Sequence, residues 1–214
     1  MTVLITGANR GIGAGMMQSY LARGADVKGT SRHTDDLLDL DVTDPASFAA
    51  LAQTLNGQPV QTLICNAGVF LDRAESLDDG YGPDLWAAGM AANVAGVFQT
   101  IQTLLPNLRA AKDAKIAIIS SQMGSNARAR GGDYIYRASK AAVTNLGSNL
   151  AIDLAPEGIA VGMYHPGWVR TDMGGDTADI SVAQSVGGLM TRIDTLSQAN
   201  SGCFECWDGQ PMPF

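Results

Sequence analysis

Short apolar runs alternate with stretches of helical periodicity along nearly the whole chain. Residues 2–6 (Thr-Val-Leu-Ile-Thr) form a β-branched run too short for a helix. The glycine-rich segment Gly7-Ala-Asn-Arg-Gly11-Ile-Gly13 follows at once. A periodic helix then runs through Met16, Met17, Tyr20 and Leu21, and Gly24 closes it. Residues 25–30 read as a second strand and 38–42 as a short third. Asp44 as N-cap and Pro45 at the first helical position start the next helix. Residues 60–65 read as a buried strand running into Asn66-Ala67-Gly68, and 72–82, acidic and glycine-containing, as a loop. One long helix is expected from Pro83 to about Arg109, with small residues at its centre. Residues 115–121 are an apolar run ending in Ser120-Ser121, which fits a central strand covered on both faces. A loop over 122–133 leads to a helix ending near Leu154, where Pro156-Glu-Gly158 breaks it. Residues 159–164 make the next strand, Ser181 caps a helix to about Thr195, and 202–207 make the last strand before an Asp208-Gly209 turn. Seven strands alternating with helices predict one α/β domain over residues 1–214, a doubly wound parallel sheet with helices on both faces.

Composition narrows the partners. The 214 residues carry a net charge of -7 with 46% hydrophobic and 16% charged positions, which is globular and large enough for one substantial core. No Lys/Arg block is present, so neither nucleic acid nor a membrane surface is an expected partner. No apolar run reaches the roughly 18–20 residues that span a bilayer. The chain begins strand-like at its first residues, and the expectation is a cytoplasmic protein. Cys203-Phe-Glu-Cys206 has C-x-x-C spacing. In a strand, positions i and i+3 face opposite ways, no second pair exists, and neither His33 nor His165 stands in ligand spacing to it. A metal or redox site is therefore not expected there.

Candidate chemistry gathers at strand ends. A strand, a glycine turn and a helix together make a phosphate cradle, because glycines admit close approach and the helix N-terminus offers N–H groups and a positive dipole. The same turn without a ligand is the plainer alternative. After the second strand stands Thr30-Ser31-Arg32, with no acid to accept from a ribose 2′-OH. Arg32, helped by Arg10, suits a 2′-phosphate instead, which favours NADP(H) over NAD(H); a solvated loop arginine is the alternative. Asp41 reads equally as an adenine contact or as the cap of a turn. Tyr136 and Lys140 stand one helical turn apart on one face, and the ammonium is expected to hold the phenol acidic. Alone, that pair also occurs by chance in many helices.

These segments in register resemble the short-chain dehydrogenase/reductase family over nearly the whole chain: Thr6-Gly7-x-x-x-Gly11-x-Gly13, Asn66-Ala67-Gly68, Asn93, Ser121, Tyr136-Arg-Ala-Ser-Lys140, then Pro166-Gly167 and Thr171. The runs from His165 to Gly175 and from Tyr136 to Lys140 look most like its C-factor and sniffer-like carbonyl reductase branch. The resemblance implies a Rossmann fold and a hydride exchanged between nicotinamide and an aldehyde, ketone or alcohol. Tyr136 would be the general acid or base. Lys140 would bind ribose hydroxyls, Ser121 the substrate oxygen, and Asn93 a water linking Lys140 to solvent. Gly7, Asn9, Arg10, Gly11, Ile12 and Gly13 would wrap the pyrophosphate. Ser31, Arg32, Asp41, Val42, Asn66, Ala67 and Gly68 would lie along the adenosine, and Pro166, Gly167, Val169 and Thr171 along the nicotinamide.

Three departures qualify the resemblance. Cys65 replaces an asparagine, an arginine-bearing insert (Arg128, Arg130) precedes Tyr136, and only residues 172–180 stand where many relatives carry a long lid. The short lid predicts an open site for varied or bulky carbonyls, lined by Trp168 and Met173. A small-molecule carbonyl or alcohol is the expected partner, and a homodimer or homotetramer is left open. The competing reading is a cofactor-binding regulatory or signalling protein with little turnover. A kinase-type binder is set aside, because Gly-x-x-x-x-Gly-Lys-[Ser/Thr] is absent.

Overall fold

The computed structural model describes residues 1–32 and 36–214. His33 lies outside the described residues. Seven parallel strands form one sheet in the order β3-β2-β1-β4-β5-β6-β7. They are β1 (Thr2–Ile5), β2 (Asp26–Ser31), β3 (Leu38–Asp39), β4 (Thr62–Cys65), β5 (Lys115–Ile119), β6 (Ala160–His165) and β7 (Phe204–Cys206). The helices are α1 (Gly11–Ala22), α2 (Pro45–Leu55), α3 (Pro83–Met90), α4 (Gly96–Arg109), α5 (Tyr134–Leu154) and α6 (Val182–Thr195). The order reverses at β1, so the crevice beyond the carboxyl ends of β1 and β4 is the natural ligand position in such a sheet.

Strand alternation builds two cores. Leu4, Leu63, Ile116, Ile118, Val161 and Met163 face α2, α4 and α5. Val3, Ile5, Ile64, Ala117, Ile119 and Tyr164 face α1 and α6. Successive residues of one strand serve opposite layers, which is why these strands are apolar throughout. The cysteines follow the same rule: Cys203 packs against the α1/α6 layer and Cys206 against the other.

The local stop and start signals are realised as bonds. Asp44 Oδ1 accepts from Ala46 N–H at 3.0 Å. Ser181 and Gln184 cap each other reciprocally at the start of α6. One expectation is corrected. Residues 83–109 do not form a single α-helix: a π-helical turn, Ala91–Ala95, separates α3 from α4. The extra residue in that turn changes the face on which side chains emerge, and Asn93 sits in it, buried and turned toward α5. Residues 122–133 contain two short 3₁₀ turns, Gln122–Gly124 and Asn126–Arg128.

Candidate active site

A cleft of about 640 Å³ opens over the carboxyl edge of the sheet. Its wall joins the glycine turn (Gly7, Asn9, Arg10, Gly11, Ile12), the end of β2 (Ser31, Arg32), the Asp41-Val42 segment, Asn66-Ala67-Gly68, Tyr136, Lys140, Pro166 and Thr171. Gly13, Asn93, Ser121, Gly167 and Val169 stand behind or beside that wall rather than on it.

The glycine turn is fixed from below. Thr6 Oγ1 accepts from the N–H groups of Asn66 and Ala67, each at 3.0 Å, and Asn66 Nδ2 donates to the carbonyls of Thr6 and Gly7, each at 3.0 Å. Gly7 has φ +66°, a conformation L side chains rarely adopt. A Cβ on Gly13 would fall 2.2 Å from the Gly7 carbonyl oxygen and 2.6 Å from Asn66 Nδ2, so only glycine lets α1 start this close to β1. The first turn of α1 has no side-chain cap and no acid. Its free N–H groups and positive dipole therefore face the cleft uncompensated, which suits a pyrophosphate. Arg10 is paired across the cleft with Asp172 at 2.5 Å, both largely exposed.

At the far end, Arg32 is half-exposed, with Nη1 4.0 Å from Asp41 Oδ2. Asp41 Oδ1 accepts from Thr43 N–H at 2.8 Å and from Thr43 Oγ1 at 2.7 Å, so the turn-capping reading of Asp41 is met by hydrogen bonds. The site thus has the parts a nicotinamide dinucleotide needs: an open helix N-terminus, a glycine cradle and a basic group beyond β2.

The opposite end holds the reacting groups. The two serines after β5 divide cleanly. Ser120 borders the cleft but spends its hydroxyl on Thr144 Oγ1 (2.7 Å) and the Lys140 carbonyl (3.2 Å), which locks β5 to α5. Ser121 Oγ accepts from Met123 N–H at 3.1 Å and is near enough to the Tyr136 phenol to lower its pKa. Lys140 is buried and donates from Nζ to the Ile119 carbonyl at 2.9 Å. Asn93 donates to the Val69 carbonyl and to Ser139 Oγ, both at 2.9 Å, and accepts from Val69 N–H at 2.8 Å. It pins the segment after β4 to α5, and its Oδ1 and Lys140 Nζ flank Gly68.

The expected control of the phenol by Lys140 competes with burial of the ring. Burial dominates and pushes Tyr136 up to about 12; the hydrogen bond from Ser121 and then the charge of Arg73 oppose it, while Asp72 adds to it. Lys140 reaches past the ring, its Nζ 5.6 Å from the centroid, onto a backbone carbonyl. Burial lowers its own pKa to about 8, so near neutrality it holds its charge only narrowly.

Three residues that the sequence did not single out complete the site. Phe70 stacks on Tyr136 with centroids 4.2 Å apart and planes 13° from parallel. Arg73 lies over Phe70 at 4.7 Å and donates to the Met173 carbonyl. Asp72, buried, accepts from Ile135 N–H at 2.8 Å and Tyr136 N–H at 3.2 Å, capping α5 from the β4–α3 loop. Of the two residues expected to line the substrate side, Met173 borders the cleft. Trp168 is 46% exposed and turns its indole N–H to the Gly174 carbonyl at 2.8 Å. The short 172–180 segment folds on itself through the Val169–Ile180 bridge and the Arg170 N–H bond to Ile180.

Known proteins resemble this chain in sequence and fold. The short chain dehydrogenase family model matches residues 1–180. The C-signal protein of Myxococcus xanthus is 37% identical over 166 residues, covering 77% of this chain and 99% of that protein. An NADPH-bound carbonyl reductase from chicken fatty liver superposes with a TM-score of 0.89 at 32% identity, covering 100% of this chain and 98% of the other. The carbonyl reductase Sniffer of D. melanogaster gives 0.92 at 27% identity, covering 100% and 99%. Among the described residues no helix is long and apolar enough to cross a membrane. The chain belongs to the short-chain dehydrogenase/reductase family, in the part of it that holds C-signal and the Sniffer-type carbonyl reductases, and is an NAD(P)-dependent oxidoreductase.

Proposed function

We propose that the protein is an NADP(H)-dependent reductase of aldehydes and ketones, reversible as an alcohol dehydrogenase. One observation carries the reading: Tyr136 and Lys140, with Ser121 close enough to act on the phenol, stand at one end of a cleft whose other end is an uncapped helix N-terminus. A bound nicotinamide supplies or accepts the hydride. Everything else falls to side chains of this chain. Ser121 donates to the substrate oxygen as negative charge develops there. Tyr136 Oη delivers the proton to that oxygen, or removes it in the reverse direction. Lys140 binds ribose hydroxyls and returns the proton to Tyr136. Asn93 Oδ1 accepts one bond from Val69, and its second lone pair is where a water of that relay would attach.

The basic group beyond β2 supports NADP(H) over NAD(H): Arg32 is half-exposed at the adenosine end, where a 2′-phosphate would meet it. The test is NADPH oxidation against a panel of aldehydes, ketones and quinones, with NADH in parallel and Tyr136→Phe beside the wild type. NADPH-dependent turnover that the variant loses supports the reading. Tight NADPH binding without turnover on any carbonyl would instead favour a regulatory protein of the same fold.

A further inference from the structure

The Tyr136 ring is not held by its own helix alone. One of its faces is covered by Phe70, nearly parallel and 4.2 Å away. The Arg73 guanidinium lies 4.7 Å over that same Phe70 ring, and it donates to the Met173 carbonyl on the segment after β6. The β4–α3 loop that carries both residues is anchored at Asp72, whose carboxylate takes the N–H groups of Ile135 and Tyr136. A cation and the reacting phenol's ring thus both rest on Phe70, between the two loops that flank the substrate end of the cleft.

We propose that Arg73 is a positioning residue for the reaction, which acts through Phe70 to fix the Tyr136 ring and places a standing positive charge beside the phenol. The proposal rests on Tyr136 being the proton donor and acceptor. The geometry suits arginine better than lysine for the stack, because the guanidinium is planar and always charged. The Arg73 charge lowers the Tyr136 pKa, against the burial that raises it. The other groups facing Tyr136 are Ser121 from the β5 turn, which also lowers it, Asp72 from the same loop as Arg73, which raises it, and Lys140 from α5, whose Nζ is 5.6 Å from the ring. Burial of the phenol works against catalysis, and Ser121 and Arg73 are the two groups that offset it. Arg73 is the exposed one of the two, so it can be changed without opening the core.

The test compares wild type, Arg73→Gln and Arg73→Lys in alcohol oxidation with NADP⁺. Glutamine keeps an N–H for the Met173 carbonyl and loses the charge, whereas lysine keeps the charge and loses the flat fork. In oxidation the reacting form is phenolate, so at every pH below the phenol's pKa kcat rises about tenfold per pH unit, and a shift of that pKa displaces the whole limb. The expected result is that Arg73→Gln moves this limb up by about half a pH unit in dilute salt, the size of one solvent-screened charge. Arg73→Lys restores the wild-type limb, and about 1 M salt erases the difference between wild type and Arg73→Gln. NADPH affinity, measured by fluorescence, stays within about twofold of wild type in both variants, because the cofactor wall is untouched. Coincident limbs for wild type and Arg73→Gln, or a fall in NADPH affinity that matches the fall in kcat, overturns the proposal. Tyr136→Phe is run alongside: if that variant turns over normally, the reading of Tyr136 fails first, and the two failures are distinguishable.

Discussion

Removing the Asp72 carboxylate should damage α5 more than any local change at its N-terminus. The helix begins after Asp133, which is in the left-handed region and makes no side-chain cap bond. Its N-terminal donors are served by Asp72, which is 1% exposed and bonded to Ile135 N–H and Tyr136 N–H. In Asp72→Ala two buried donors lose a charged acceptor. Each such loss costs about 1–3 kcal/mol, and the lost interaction with the helix dipole adds up to about 2 kcal/mol more. Partial rescue by water and relaxation brings the expectation to about 3 kcal/mol. In urea that lowers the unfolding midpoint by about 1–1.5 M at an unchanged slope. Asp72→Asn keeps one acceptor oxygen and should lose about half as much. An alanine variant that loses less than about 1 kcal/mol would refute the claim that this loop caps α5.

Three further outcomes follow from burial and charge. Burial holds the Lys140 pKa near 8, below its unfolded value of 10.5, so the cost of burying its charge is fully present below pH 8 and lifts as pH rises toward 10. The stability of wild type relative to Lys140→Met, followed by denaturant titration at each pH, should therefore improve by up to about 3 kcal/mol across that window. His165 is buried with its pKa lowered to about 4, first by desolvation and then by Arg128, and its Nδ1 lacks a partner among the described residues. Stability should fall as pH drops from about 6.5 toward 4, and His165→Gln should flatten that limb in thermal melts. Arg32→Ala should weaken NADPH binding by about tenfold or more and NADH binding little, as separate fluorescence titrations would register.

The parts of the fold and site that were legible in the sequence are those whose cause is local. The strand–glycine turn–helix order, the Asp44 cap and the Ser181 cap each rest on residues within a turn of one another, and each is realised. Ser121 was separable from Ser120 by resemblance alone; the structure supplies the physical reason, since Ser120 Oγ is committed to α5. The π-helical turn at Asn93 was not legible. The residues bounding it, Met90 and Gly96, keep ordinary right-handed helical angles, and its small residues suit a plain α-helix equally well. The Asp72 cap was hidden for another reason. It joins residues 63 and 64 positions apart, it lies in a segment with Glu75, Asp78 and Asp79 beside it, and Asp133 stands where a local cap would be read. The Phe70–Arg73 layer on Tyr136 likewise exists only once β4 and α5 are brought together. Burial of the phenol and the ammonium is hidden for a similar reason: one-turn spacing fixes a shared helix face but says nothing about burial, which is the largest influence on both groups.

The central claim is a hydride passed between a nicotinamide and a carbonyl carbon, with the matching proton handled by Tyr136. The most direct measurement uses NADPH carrying deuterium at its transferable position, an aldehyde or ketone that the enzyme consumes, and mass analysis of the alcohol formed. Wild type should give one deuterium on the carbinol carbon, and Tyr136→Phe no labelled alcohol at equal NADPH occupancy. Labelled alcohol formed equally fast by Tyr136→Phe, or NADPH bound tightly with no label transferred to any carbonyl, would contradict it.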